Sequence, residues 1–178
     1  MPSQKPESVL IVGAGQAGIQ AAQSLRKRGF DGEITMLGDE GHAPYQRPPL
    51  SKAFLKGQME EARLMFKPEK FFEDQQIGRH FSAAAESLDI EARTVTCTNG
   101  DTHAFDRLII ATGSTPIALP VQGGSLDGVF ALRGLDDSKA IRDALENASQ
   151  MVVIGGGYIG LEAASAARQM GREVTVIE

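Results

Sequence analysis

The chain has 178 residues, 42% of them hydrophobic, enough for one domain and part of another around a sizeable core. Its formal net charge of −5 argues against a nucleic-acid or anionic-membrane surface, and no apolar run is long enough to span a bilayer. Cys97 is the only cysteine and the start, Met1 to Ser8, is polar rather than a signal peptide, so a disulfide framework is excluded and a reducing cytoplasm is expected.

The first element is the apolar run Val9 to Val12, read as a buried strand. Gly13-Ala14-Gly15-Gln16-Ala17-Gly18 follows directly, and then a helix on which Ala17, Ala21, Ala22 and Leu25 make a small apolar face suited to a sheet. Strand, tight turn and helix start together raise G-x-G-x-x-G from a weak pattern to a dinucleotide-binding hypothesis. In that reading Gly13 makes the turn, Gly15 lets backbone approach a pyrophosphate, and Gly18 lets helix and strand pack closely. The diphosphate would lie against free amides at the positive end of the helix.

After the strand Ile34 to Leu37 the chain changes character. Gly41 to Pro49 is a loop, Leu50 to Lys56 reads as a short helix entered through Pro48-Pro49, and Pro68 to Gln75 reads as another. Ala85 to Cys97 looks like short strands with a turn near Asp89 to Ala92, and Asn99-Gly100 signals a hairpin. Leu108 to Ala111 is a continuous apolar strand ended by Thr112-Gly113-Ser114; with Val9 to Val12 and Ile34 to Leu37 it makes a three-stranded parallel core. Pro116 to Gly128 is a connector. Leu135 to Ala148 is an amphipathic helix, apolar at Leu135, Ala140, Ile141, Ala144 and Leu145, with Asp136 and Asp137 favouring its N-terminal end.

A second fingerprint, Gly155-Gly156-Gly157-Tyr158-Ile159-Gly160, follows the strand Met151 to Ile154. With Gly13 aligned to Gly155, Gly18 meets Gly160, Ala21-Ala22 meets Ala163-Ala164 and Gly29 meets Gly171. After a two-residue insertion, Glu33 to Leu37 meets Glu173 to Ile177. Two distant copies of a strand–helix–strand unit point to two nucleotide sites rather than a solenoid.

Four stretches, in this order and spacing, carry a more specific likeness: Pro44-Tyr45-Gln46-Arg47-Pro48-Pro49-Leu50-Ser51-Lys52, Phe105 to Gly113, Leu132 to Asp137, and Val152 to Glu162. On them the chain resembles the N-terminal portion of FAD-dependent, NADH-oxidising ferredoxin reductases (the putidaredoxin, rhodocoxin and rubredoxin reductase type) that serve bacterial monooxygenases and ring-hydroxylating dioxygenases. Ile117 stands where that family carries an arginine after Thr-Gly-x-x-Pro, so no anchor is expected there.

The resemblance implies an α/β fold. A doubly wound, Rossmann-like parallel sheet with a β-hairpin or meander insertion forms an FAD domain over residues 1–115. A connector and helix occupy 116–147, and the first βαβ unit of a second Rossmann-like domain, for NAD, spans 148–178. It implies hydride transfer from NADH to FAD and single-electron transfer to an iron–sulfur ferredoxin or rubredoxin-type carrier. Disulfide reductases of related fold place a redox cysteine pair shortly after the first unit; Pro48 to Lys52 stands there instead, so electrons leave the flavin directly.

The site residues follow one by one. Gly13, Gly15 and Gly18 belong to the FAD turn, and Asp39, 21 residues after Gly18, is placed to hold ribose hydroxyls. Gly38, not Asp39, aligns with Glu178, so this acid comes one place late. Lys52 matches a lysine beside the flavin, where a cation stabilises charge that develops at the ring on reduction. In such reductases it pairs with the glutamate matching Glu162, which by itself reads as an acid in the first turn of a helix. Arg47 is a candidate for bidentate contact with the flavin diphosphate or else a loop arginine. Arg133 matches a flavin-contacting arginine. Ala17 and Ala85 match positions that approach the cofactor through backbone, and Thr112-Gly113 matches a bend near FAD. Gly155, Gly157 and Gly160 form the NADH turn, and Glu178, 18 residues after Gly160, accepts ribose hydroxyls and repels a 2′-phosphate.

Cys97 reads as a buried strand residue. His42, His80 and His103 are scattered without metal-ligand spacing, so no metal site is expected.

Other readings stay open. One is a monodehydroascorbate or nitrite-linked reductase of the same architecture, and another is a redox-controlled nucleotide-binding regulator resembling apoptosis-inducing factor. The third is an inactive truncated fragment. Reductase activity is expected of a full-length parent and none of this chain alone, which is expected at most to bind FAD weakly, because it stops where a dinucleotide domain and a returning FAD-domain strand would be expected to continue.

Overall fold

The computed structural model describes residues 6–178; the polar start Met1 to Lys5 lies outside them. The described residues form two compact units, one from residues 6–45 and 65–113, the other from 46–64 and 114–178.

The first unit holds β1 (Ser8–Val12), α1 (Gln16–Lys27), β2 (Glu33–Leu37), α2 (Glu69–Asp74), β3 (Ile77–His80), β4 (Ala85–Asp89), β5 (Thr94–Cys97), β6 (Thr102–Ala104) and β7 (Arg107–Ile110). Strands β3-β2-β1-β7 make a parallel sheet in that order, with Val9 opposite both Ile34 and Arg107. A strand turns alternate side chains to opposite faces, and a sheet covered on both sides is apolar throughout. Val9, Ile11, Ile34 and Met36 accordingly bury against Ile19 and Ala22 of α1 and Phe72 of α2. Leu10, Val12 and Leu37 bury on the other face with Val95 and Cys97 of the antiparallel meander β4-β5-β6. Each such side chain contributes roughly 1.5–3 kcal/mol on burial.

The parallel core has four strands rather than three. Ile77–His80 lacks an apolar run because Gly78 and Arg79 interrupt it, yet it pairs with β2 in register Ile34↔Ile77. On α1 the buried face is Gly18, Ile19 and Ala22, while Ala17, in the first turn, points to solvent. The hairpin at Asn99-Gly100 joins β5 to β6, with Gly100 at φ 89°. The starts of β1 and β7 are clasped: the Glu7 and Ser8 amides donate to Asp106 Oδ2 at 2.7 and 3.1 Å, and the Asp106 amide donates to Ser8 Oγ at 2.9 Å.

The second unit holds two 3₁₀ turns, Pro48–Ser51 and Glu61–Arg63, then α3 (Leu135–Asn147), β8 (Gln150–Ile154), α4 (Tyr158–Gln169) and β9 (Glu173–Ile177). Strands β8 and β9 pair in parallel from Gln150↔Glu173 to Ile154↔Ile177. The core gathers Leu55, Ile141, Leu145, Ala163, Ala166 and Ala167. Residues 46–64 belong here, whereas the sequence boundaries at 115 and 147 assign them to the first domain. Their attachment is non-local: Ser138 Oγ donates to the Leu50 carbonyl at 2.7 Å, Lys139 pairs with Glu61 at 2.7 Å, and Arg142 lies over Phe54. The expected helix Leu50 to Lys56 is instead the 3₁₀ turn followed by hydrogen-bonded turns. Lys52 leaves helical geometry (φ −128°, ψ −111°), so the spiral does not propagate.

Candidate functional site

In the first unit the Gly13 amide donates to the Leu37 carbonyl at 2.9 Å, which bends the chain off β1. Gly13 has φ +119°, and a Cβ there would meet the Ala111 carbonyl oxygen at 2.1 Å, so only glycine fits. A Cβ at Gly18 would stand 1.9 Å from the Gly13 carbonyl oxygen, so this glycine lets α1 start against the turn. Gly15 differs: nothing lies within 4 Å of its Cβ position, and it is the N-cap of α1. No side chain caps this helix and its first turn holds no acid. Open backbone at the positive end of an uncapped helix suits a diphosphate.

The second unit repeats the arrangement. The Gly155 amide donates to the Ile177 carbonyl at 2.8 Å and Gly155 has φ +102°. A Cβ at Gly160 would meet the Gly155 carbonyl oxygen at 2.3 Å. Gly157, the N-cap of α4, has open space around its Cβ position and no side-chain cap. Both turns thus fit a dinucleotide on backbone geometry alone.

Of the other first-unit candidates, the Thr112-Gly113 bend lies against Gly13. Asp39 is exposed two residues beyond β2, its Oδ1 accepting from the Glu40 amide at 3.1 Å. The Thr112 amide would be 2.9 Å from a Gly13 Cβ, which puts the Thr112-Gly113 bend, with Gly113 at φ 76°, beside the turn. The Ala83 amide donates to the Gly38 carbonyl at 2.8 Å, leading the chain past the end of β2 to exposed Ala85. In the second unit Glu178 follows β9 directly and its carboxylate accepts the Gly156 amide.

The remaining candidates meet in the second unit. Lys52 Nζ lies 2.6 Å from Glu162 Oε2, with the side chains 50% and 31% exposed. The pair forms although Lys52 is not buried. The ammonium also donates to the Pro48 carbonyl at 3.2 Å. Glu162 is the fifth residue of α4, past its first turn, so the helix end does not account for it. The hydrogen bond from Lys52, and then that from Ser51, hold its carboxyl below the usual carboxylate range. Ser51 was not expected in the site; its hydroxyl donates to the same Glu162 oxygen at 2.6 Å. Arg47 Nη1 donates to the Arg133 carbonyl at 2.8 Å, and the Arg133 and Gly134 amides donate to Asp137 at 2.9 and 2.7 Å. Arg47, Lys52, Arg133 and Glu162 line one groove of about 290 Å³, with Leu50 and Ile159 as apolar walls. Three cations and one acid among its lining residues leave the groove net positive, which suits an anionic ligand.

Cys97 is 1% exposed, and burial pushes its thiol up from the ordinary value. His80 and His103 are not scattered, as the sequence suggested: β3 and β6 bring their rings to 4.5 Å, and burial and His80 lower the His103 value. Among the described residues no three His, Cys, Asp or Glu are grouped to hold a metal, and no helix is long and apolar enough to cross a membrane.

The model of the family described as pyridine nucleotide-disulphide oxidoreductase matches residues 7–178. The chain is 44% identical to rubredoxin-NAD(+) reductase of Pseudomonas putida over 96% of this chain and 44% of that protein. It is 43% identical to rhodocoxin reductase of Rhodococcus erythropolis over 96% of this chain and 40% of that protein. The crystal structure of a ferredoxin reductase from Rhodopseudomonas palustris superposes with a TM-score of 0.91 at 46% identity, over 96% of this chain and 42% of that one. The chain therefore spans less than half the length of these relatives.

Proposed function

The chain belongs to the pyridine nucleotide-disulphide oxidoreductase family, and from that premise we propose that it is the FAD- and NADH-binding portion of a flavoprotein oxidoreductase serving a ferredoxin- or rubredoxin-type iron–sulfur carrier. One observation carries this reading: the same strand, glycine turn, helix and strand occur twice, each with an open N-cap glycine and a carboxylate just past the second strand. FAD, when bound, supplies a group that accepts hydride from NADH and gives electrons up singly.

The residues of this chain then do the following. Gly13, Gly15 and Gly18 form the turn that receives the FAD diphosphate, and Asp39 accepts the ribose hydroxyls. Ala17, Ala85 and Thr112-Gly113 offer backbone to the cofactor. Gly155, Gly157 and Gly160 receive the NADH diphosphate, and Glu178 accepts both ribose hydroxyls and repels a 2′-phosphate. Lys52, steadied by Glu162, presents positive charge where negative charge develops, and Arg47 and Arg133 add to that field. The only thiol in the chain, Cys97, is buried. A cysteine relay therefore has no place in it, and electrons go to the carrier directly. A lone buried cysteine also suits a reducing cytoplasm.

The test is to titrate the protein with FAD, following flavin fluorescence, and then to add NADH and an iron–sulfur carrier without oxygen. Weak flavin uptake is expected of this chain, and bleaching by NADH and carrier reduction of a protein of its relatives' full length, of which this chain spans less than half. Absence of flavin uptake rejects the reading.

A further inference from the structure

We propose that Ser51 is a positioning residue: its hydroxyl fixes the Glu162 carboxylate so that the Lys52 ammonium is held in one place at the groove. The inference rests on the flavoprotein reading for its consequence, though not for its geometry. Ser51 is a buried polar residue, 5% exposed. Its Oγ lies 2.6 Å from Glu162 Oε2, the oxygen that also meets Lys52 Nζ at 2.6 Å. A hydroxyl has one proton to donate. The other acceptor near it, the Pro48 carbonyl, stands at 3.5 Å, the limit of a hydrogen bond, so the proton goes to the carboxylate.

Lys52 cannot supply that order by itself. An ion pair between half-exposed side chains is weak, and a four-carbon stem has many rotamers to lose. Ser51 has a single rotor and sits on a turn whose start is fixed by two prolines with preset φ. The ionisable groups around Glu162 make the need plain. Lys52, Arg47 and Arg133 line its groove, and Lys52, Lys56 and Tyr158 line an adjoining one of about 460 Å³. Among the described residues, Glu162 is the only acid lining either groove. Glu162 Oε2 is held from two sides, by the Lys52 ammonium and by the Ser51 hydroxyl, and the hydroxyl selects the geometry that serves Lys52. The chemistry is that of an outer hydrogen bond orienting a group that faces the cofactor.

The experiment compares the flavin-loaded wild type with S51A and S51T. It follows the Glu162 carboxyl by NMR through a pH titration, alongside FAD affinity and the rate of flavin bleaching by NADH. In S51A the Glu162 titration should move to higher pH, FAD affinity should stay within about twofold, and bleaching should slow by roughly tenfold. S51T, which keeps the hydroxyl, should restore both readouts. An unmoved Glu162 titration in S51A, or S51T behaving as S51A does, overturns the proposal. Should the protein take up no FAD, the flavoprotein reading falls alone, and the Glu162 titration of the same variants still decides the role of Ser51.

Discussion

Ala14 and Gly38 exclude each other's side chains: a Cβ at Gly38 would stand 2.7 Å from the Cβ of Ala14. In the second copy the sizes are exchanged. Gly156 matches Ala14, and Glu178, matching Gly38, lays its carboxylate on the Gly156 amide. The acid of the first copy therefore comes one residue later, at Asp39, because the position above Ala14 has no room for a side chain. Gly38→Ala is expected to destabilise the first unit by about 1–3 kcal/mol through overpacking. Adding Ala14→Gly should recover part of that loss in a double-mutant cycle measured by denaturant unfolding. Gly156→Ala should cost much less, since a Cβ there meets only the end of the flexible Glu178 side chain. Equal losses at positions 38 and 156 would contradict the account.

Lys52→Ala in a flavin-loaded protein of the relatives' full length should keep FAD bound and slow flavin reduction by roughly a hundredfold, the scale for removing one preorganised charge-stabilising group. In the proposed function binding rests on the glycine turns, whereas Lys52 acts on charge that develops later. Stopped-flow reduction by NADH at the wild-type rate would sink its role.

Glu178 sets the nucleotide preference in this scheme. In a protein of the relatives' full length, Glu178→Ser should reduce the kcat/KM ratio of NADH over NADPH by roughly tenfold or more, as a repulsive element against the 2′-phosphate is lost. A wild-type protein that uses both nucleotides equally is the contrary result.

The Asp106 clasp predicts a pH signature. The Glu7 amide above all, and then Ser8, hold the Asp106 carboxyl below its ordinary value. Because the folded value lies below the unfolded one, near 3.9, the clasp stabilises fully above that pH and is lost as pH falls through the folded value. The stability difference between wild type and Asp106→Asn should be constant from roughly pH 5 to 7 and shrink below about pH 4. A difference independent of pH would show that the charge is not what the amides hold.

The glycine turns and the internal repeat were legible in the sequence because they answer to local backbone geometry: a positive φ, a tight approach, an open N-cap. The strand Ile77–His80 was not, since Gly78 and Arg79 hide its period and only pairing with β2 makes it a strand. No spacing could couple Lys52 to Glu162; that pair came from the family likeness. Ser51 escaped notice for the opposite reason, as a serine beside a proline pair is ordinary at the entry of a turn. The meeting of His80 with His103 depends on the meander folding over the sheet, a relation between strands that neither segment encodes alone.

The division of the chain has a consequence for its synthesis. Residues 46–64 leave the ribosome long before α3 and α4, the helices that receive them. At about 5–20 residues per second, the interval between Leu64 and Gln169 is on the order of ten seconds. Throughout it Leu50, Phe54 and Leu55, each almost wholly covered in the finished protein, lack that cover, and for its first part the sheet of the first unit is itself incomplete, since β7 ends only at Ile110. The nascent chain should therefore be a client for holdase chaperones at this loop, and slower translation downstream of codon 64 should lower the yield of native protein.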